Sequence, residues 1–371
     1  MPISVIIAGV STRSAAESAA RAGFEVTAFD AFADLDQHPS VRAHAVYAPF
    51  TPAAAARAAQ SIDADAVAYL SSFENHPRAV AWLARGRALW GNPPDVIRTA
   101  RARVGSAFRR NGPPAGGPHE YLVKPIKSGG GHGVRRWIPG SPVPRGCYLQ
   151  EFVEGTPGSV VFVAAGGRSV PLGMSRQLIG EAAFGTDGFR YCGNILAGAG
   201  DPQFTGDEAL MNAASALADS AAHACGLVGV NGIDFIARDG LAHAIEINPR
   251  WCASMELVER AYGLSVFAAH AAACTQGTLP RFDFARARLG AAAIGKAIVF
   301  ARRDVVVGDS RAWLGDEDVR DVPHPGEAIA AGRPVCTVFA QARDAGGCYD
   351  ALVTRADRIY AELAAWAPVV V

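Results

Sequence analysis

Residues 232–250, Gly-Ile-Asp-Phe-Ile-Ala-Arg-Asp-Gly-Leu-Ala-His-Ala-Ile-Glu-Ile-Asn-Pro-Arg, restrict the fold of this chain more than any other stretch. Two runs of alternating apolar and polar residues flank Asp239–Gly240, a pair with the turn chemistry of a tight β-hairpin. Side chains alternate faces along a strand, so pairing Asp234 with Glu246 also pairs Ile233 with Ile247. That register places Ile233, Phe235, Ile245 and Ile247 on one face and Asp234, Glu246 and Asn248 on the other. A slip of one residue would bury a carboxylate. Two carboxylates and an amide oxygen beside Arg250 form a hard, oxygen-rich set that suits Mg²⁺. A solvated hairpin with an acidic face uses the same letters, so the choice depends on what the rest of the chain offers.

Upstream, the extended segment Tyr121–Leu–Val–Lys124–Pro runs into Ser128–Gly129–Gly130–Gly131–His132–Gly133. Glycines let successive backbone N–H groups approach phosphate oxygens and form an anion-binding concavity. Lys124 adds a point charge, and Lys127 lies at the mouth of the loop. The pattern is neither Gly-x-x-x-x-Gly-Lys-Ser/Thr nor Gly-x-Gly-x-x-Gly ahead of a helix. A flexible surface hairpin would also use these residues. Between loop and hairpin lies Tyr148–Leu–Gln150–Glu151–Phe152–Val153–Glu154–Gly155, a short alternating strand ending at a turn. Its backbone fits the edge of an adenine ring, and taken alone it reads as an edge strand.

In this order and spacing the three segments resemble the ATP-grasp superfamily, which includes D-alanine–D-alanine ligase, biotin carboxylase and glutathione synthetase. The resemblance runs from about residue 95 to the end of the chain and is strongest in 123–134, 150–155 and 229–250. It implies a mixed α/β and α+β architecture. Residues 1–95 would form an N-terminal α/β domain, 96–280 the ATP-grasp core, and 281–371 a small strand-rich C-terminal domain. It also implies roles for residues. Lys124 would lie on the α/β-phosphates and, with Arg250, form the catalytic pair. Lys127, Gly129, Gly130, Gly131, His132 and Gly133 would cover ATP as a mobile lid. Gln150, Glu151, Val153 and Glu154 would line the adenine and ribose site. Asp234, Glu246 and Asn248 would hold two Mg²⁺ ions, with Mn²⁺ as a substitute.

Some positions depart from the superfamily pattern. Gly158 and Ser159 stand where many members carry a ribose-binding Glu. The second nucleotide lysine has no lysine counterpart, which leaves Arg101 or Arg103. The phrase Glu246–Arg260 further resembles ATP-dependent carboligase-like proteins, akin to ligases that build methanofuran- or tetrahydromethanopterin-type cofactors.

The implied chemistry joins a small-molecule acid to an amine. The γ-phosphoryl group of ATP moves to the acid's carboxylate, and an amine displaces the phosphate. Because Arg forks a carboxylate bidentately, Arg176 and Arg190, between hinge and hairpin, are the substrate-acid candidates. A bicarbonate-activating enzyme and a catalytically silent nucleotide-binding protein are the alternatives.

Composition agrees with a multidomain enzyme. The 371 residues are long enough for two or three domains. Formal net charge is zero, without a basic stripe for nucleic acid. No apolar run is long enough to span a bilayer, and the chain opens directly into a strand at Ile3–Ala8 rather than a signal peptide. Seven scattered cysteines, none in C-x-x-C, suggest reduced thiols and a cytoplasmic setting. A homodimer is the expected assembly, without nucleic-acid or membrane partners.

Overall fold

The computed structural model describes residues 2–46, 49–110 and 120–366, excepting the side chains of residues 103–110. The Pro/Gly-rich stretch 112–119 therefore lies outside the described residues, as does the Arg103 side chain.

The N-terminal part is a five-stranded parallel sheet. In spatial order its strands are Arg42–Ala45, Glu25–Asp30, Ser4–Ala8, Ala66–Tyr69 and Ala88–Trp90. Ser4–Ala8 and Ala66–Tyr69 are almost wholly buried, as strands covered on both faces require. The helices Arg13–Arg21, Pro52–Ala58 and Pro77–Leu83 connect the strands. From residue type alone, residues 76–89 read as one helix. Instead it stops at Leu83, and 88–90 form the edge strand.

Helix Pro94–Phe108 leads into a small antiparallel sheet containing Tyr121–Pro125 and Cys147–Glu151, paired Lys124 to Tyr148. An eight-stranded sheet follows, in the order Leu241–Asn248, Gly229–Arg238, Thr156–Ala165, Arg168–Ile179, Tyr191–Leu196, Ala293–Phe300, Pro334–Ala342 and Val319–Arg320. The last three strands come from the segment assigned to a C-terminal domain. They continue the same sheet that carries the acidic hairpin.

Helix Asp207–Cys225 packs Leu210, Ala214 and Ala218 against Ile233, Phe235 and Ile247. Its N-cap is Gly206 in a left-handed conformation, with no side-chain cap. The final helix, Ala345–Ala365, starts where the Asp344 side chain caps it by accepting from Gly347 N–H. All seven cysteines are free thiols, and no helix among the described residues is long and apolar enough to cross a membrane.

A buried charge network joins the two large sheets. Arg13, with no exposed surface, meets Glu256 and Asp321 at 2.7 Å each, and Lys296 reaches Glu256 at 2.6 Å. Burial opposes all these charges, yet Arg13 and Lys296 hold the Glu256 carboxyl well below the usual carboxylate range.

A second buried polar residue sets an acid limit on stability. His270, on helix Val266–Gln276, accepts a hydrogen bond from Val230 N–H at Nδ1 (3.0 Å). Gly229 leaves the room this requires, since a Cβ there would sit 2.4 Å from the same nitrogen. Burial lowers the His270 pKa to about 4, so the folded protein keeps the ring neutral. The unfolded chain binds that proton near the ordinary value of about 6.5, so stability is complete above that pH and falls as pH drops toward about 4. Between about pH 7.5 and about pH 5 this one residue removes about 2 kcal/mol. Urea unfolding at the two pH values should show the loss, and His270→Gln should shrink the difference.

Candidate active site

The hairpin adopts the register its alternation dictates: Asp234 pairs with Glu246, Ile233 with Ile247 and Gly232 with Asn248. Asp239 and Gly240 both take positive φ, 53° and 72°, as the turn requires. One departure has consequences for the site. The register shifts after Asp234, so that Phe235 pairs with Ala244 and Ile245 becomes the extra residue of a bulge. Ile245 therefore leaves the core face assigned to it and lines the cavity beside Glu246, while Ala244 packs toward the core in its place.

The cavity, about 370 Å³, is lined by both the small sheet and the polar face of the large one. Lys124 and Gln150 enter from facing strands and are joined by a 2.9 Å bond from Lys124 Nζ to Gln150 Oε1. Gln150 then donates to the Ile245 carbonyl at 3.0 Å, which fixes the hinge strand to the bulge. Glu151, Phe152, Val153 and Gly155 complete that wall, whereas Glu154 is exposed and does not line it.

The glycine loop closes one side through Gly129, Gly130 and Gly131. Its Gly130 carbonyl accepts from Tyr191 N–H at 3.1 Å. Gly131, at φ +73°, sits so close to the next segment that a Cβ would fall 1.7 Å from the Phe189 carbonyl oxygen. Lys127, His132 and Gly133 lie outside the lining, and Lys127 and His132 are exposed. Gly131→Ala should therefore prevent the loop from docking over the cavity. Strain of a few kcal/mol corresponds to a ten- to hundredfold fall in ATP turnover, on the order of the cost of a forced left-handed residue. Steady-state kinetics beside a thermal melt would separate this from unfolding, since the loop contributes little to the core.

The carboxylates are held by groups that the spacing of motifs did not reveal. Asp234 accepts from Gln177 Nε2 (2.9 Å) and Asn248 Nδ2 (3.0 Å). Glu246 forms an ion pair with Arg101, whose other nitrogen reaches Asn75 at 2.8 Å. Arg101 thus occupies the site as the sequence allowed. Arg250 donates from Nη2 to Asn248 Oδ1 (3.0 Å) and from Nε to Glu74 Oε1 (2.7 Å).

Burial, then the neighbouring Glu246 charge, raises Asp234 to a pKa of about 6. Burial pushes Glu246 up as well, but the Arg101 and Lys124 charges hold it below its ordinary value. The two carboxyls are thus driven apart, and both are mainly ionised at neutral pH. Burial raises the Cys252 thiol to about 12, so it lines the cavity as a neutral group rather than as a nucleophile.

Among the described residues no cluster of three His, Cys, Asp or Glu side chains is arranged to hold a metal. The donor set is two carboxylates plus an amide, which fits Mg²⁺ completing its shell with water and phosphate oxygens.

Neither arginine assigned to the substrate acid reaches this cavity. On strand Arg168–Ile179, Gln177 faces Asp234, so Arg176 points to the opposite face, over the Tyr349 ring at 5.9 Å. Arg190 donates to the Gly332 carbonyl at 2.7 Å and packs over Phe300 at 4.7 Å. Ser159, Gln177, Tyr191, Asn194, Cys252, Ser254 and Glu74 line the cavity instead. Glu74 carried one usable signal: it follows the carboxyl end of a parallel strand, Ala66–Tyr69, where ligands of open α/β sheets bind.

With this geometry established, comparison with known proteins identifies the class. Residues 106–254 match the family model described as the ATP-grasp domain. The chain carries an ATP-grasp domain and has the ATP-grasp fold.

Among solved structures it is similar to the L-amino acid ligase from Bacillus licheniformis, with 15% identity, a TM-score of 0.67, and coverage of 96% of this chain and 97% of that one. Biotin carboxylase from Campylobacter jejuni, solved as a β,γ-ATP complex, gives 14% identity and a TM-score of 0.67, covering 95% and 90% of the two chains. The biotin carboxylase domain of Hydrogenobacter thermophilus 2-oxoglutarate carboxylase, solved with MgADP and bicarbonate, gives 14% identity and a TM-score of 0.67 over 99% and 91%. No curated protein sequence matches the chain.

Proposed function

We propose that this protein is an ATP-dependent ligase that activates a carboxylate as an acyl phosphate and joins it to an amine, releasing ADP and phosphate. The observation supporting this reading is that Lys124, the glycine loop, the Gln150–Val153 strand, Asp234, Glu246, Asn248 and Arg250 border one cavity. Phosphoryl transfer demands positioning and neutralisation of charge on the equatorial oxygens more than covalent help. Lys124 and Arg250 supply fixed positive charge there. Asp234, Glu246 and Asn248 would hold Mg²⁺, taken here as two ions, whose charge when bound neutralises the phosphate oxygens. The nucleotide base would lie against Phe152, Val153 and Ile236. Docking of Gly129–Gly131 on Phe189–Tyr191 excludes water, which an acyl phosphate requires. The cavity suits a small acid beside the nucleotide, so synthesis of a small molecule or cofactor is the implied setting.

The test is ADP release from MgATP against panels of acids and amines, alone and combined, with bicarbonate as a separate arm. This reading expects release that needs both an acid and an amine and stops with chelator. Release driven by bicarbonate alone would replace it with a carboxylating reaction. ATP bound without turnover under any combination would leave a nucleotide-binding protein.

A further inference from the structure

Glu74 is 4% exposed and lines the cavity, yet only half of its carboxylate has a partner. Oε1 accepts from Arg250 Nε at 2.7 Å, whereas the buried Oε2 accepts no hydrogen bond. A buried carboxylate oxygen without a donor is costly, and native proteins satisfy nearly all such groups. Holding Arg250 in place needs only the first oxygen.

The hairpin's metal-ligand set does not account for the second. The Arg250 guanidinium stands between the two, reaching Asn248 with Nη2 and Glu74 with Nε. What remains is a donor that arrives with the substrates, whose binding uncovers Oε2, since that oxygen has almost no accessible surface in this state. A cation is the best match, because a charge-assisted bond to an ionised carboxylate is about twice as strong as a neutral one.

We propose that Glu74 holds the acceptor amine of the ligase reaction, taking the ammonium form on Oε2 while Oε1 keeps Arg250 in place. The ammonium gives one proton to the Glu74 carboxylate, and the free amine then attacks the acyl carbon and expels phosphate. The acceptor is therefore a primary amine that enters as a cation, beside the arginine that faces the transferred phosphate. The carboxylate comes from the Phe73–Asn75 turn, which follows a strand of the N-terminal sheet, and its arginine partner from the ATP-grasp core. The amine would consequently bind at the junction of the two parts. This assignment rests on the ligase reading above.

The test uses Glu74→Gln in the full chain, because the Gln carbonyl still accepts from Arg250 Nε but Oε2 becomes a donor. Three amine probes, one neutral and two cationic, are compared with the acid that gives turnover. Hydroxylamine is uncharged at neutral pH and traps the acyl phosphate as a hydroxamate without needing a carboxylate. Ethanolamine and putrescine enter as ammonium ions.

Whatever the variant loses through Arg250 lowers kcat alike with every amine, but the KM for the cationic amines should rise at least about tenfold while the KM for hydroxylamine does not, as loss of one charge-assisted bond predicts. An unchanged amine KM would overturn the assignment. So would a KM that rises equally for hydroxylamine and the cationic amines, which would mean Glu74 acts only through Arg250. A raised KM for the acid in the hydroxylamine reaction would also overturn it. Wild-type protein that makes no hydroxamate with any acid would sink the ligase reading and the assignment together. A failure confined to the variant sinks the assignment alone.

Discussion

Glu246→Gln should lower ADP release by about a thousandfold and leave the fold intact. The substitution keeps the side-chain volume but removes the one carboxylate held in its ionised form by Arg101 and Lys124. Asp234 then remains as the only carboxylate of the hairpin set. Loss of a metal ligand at a phosphoryl-transfer site removes several kcal/mol of charge stabilisation, and about 4 kcal/mol corresponds to three orders of magnitude. Stability should change little, because Glu246 is partly exposed and Arg101 retains Asn75. Turnover measured against Mg²⁺ concentration, with a thermal melt as control, checks both halves. Full turnover in the variant would remove Glu246 from the metal set.

The second large effect is expected at Arg250. Its guanidinium bridges Asn248 and Glu74 and also donates to the Trp251 carbonyl at 3.0 Å. Lysine offers a single point charge and cannot span these partners while facing a phosphate. Arg250→Lys should therefore cut ADP release by about a hundredfold, the usual cost of losing one preorganised group that stabilises transition-state charge. Arg250→Ala should do more, and to the fold as well. It strands the Glu74 carboxylate, buried and without its counter-charge, at a cost of about 3–5 kcal/mol. The expected pattern is a lysine variant that melts near the wild type and turns over poorly, beside an alanine variant that also melts early. Equal loss of stability in both variants would assign Arg250 a structural role only.

The local parts of this site were legible in the sequence because short-range rules determine them. The Asp239–Gly240 turn and the period-two alternation are enough to pair Asp234 with Glu246. The glycine loop and the Lys124 strand were likewise readable from residue type and order. The bulge at Ile245 was not, because nothing in Ala-His-Ala-Ile-Glu marks which residue is extra.

Partnerships across long separations were also hidden. Glu74 with Arg250 spans 176 positions and Arg101 with Glu246 spans 145, and both depend on how separate sheets meet. The substrate arginines show a different limit. Arg176 was chosen for its chemistry, but its position in the strand turns it away and presents Gln177. At Arg190 the Gly332 carbonyl and the Phe300 ring, both from the C-terminal segment, claim the side chain.

The fold's larger outline followed the same division. Strand and helix order was readable, but the joining of Ala293–Phe300 and Pro334–Ala342 to the sheet of the acidic hairpin was not. Antiparallel neighbours distant in sequence leave no local trace.

The most direct test of the central claim follows one oxygen atom. An acid that supports turnover is labelled with ¹⁸O in its carboxylate and incubated with MgATP and amine, and the released phosphate is analysed by mass. If the carboxylate attacks the γ-phosphorus and the amine then expels phosphate, the phosphate carries one ¹⁸O from the acid and the other product is ADP. Unlabelled phosphate, or AMP with pyrophosphate, would contradict the acyl-phosphate ligase account.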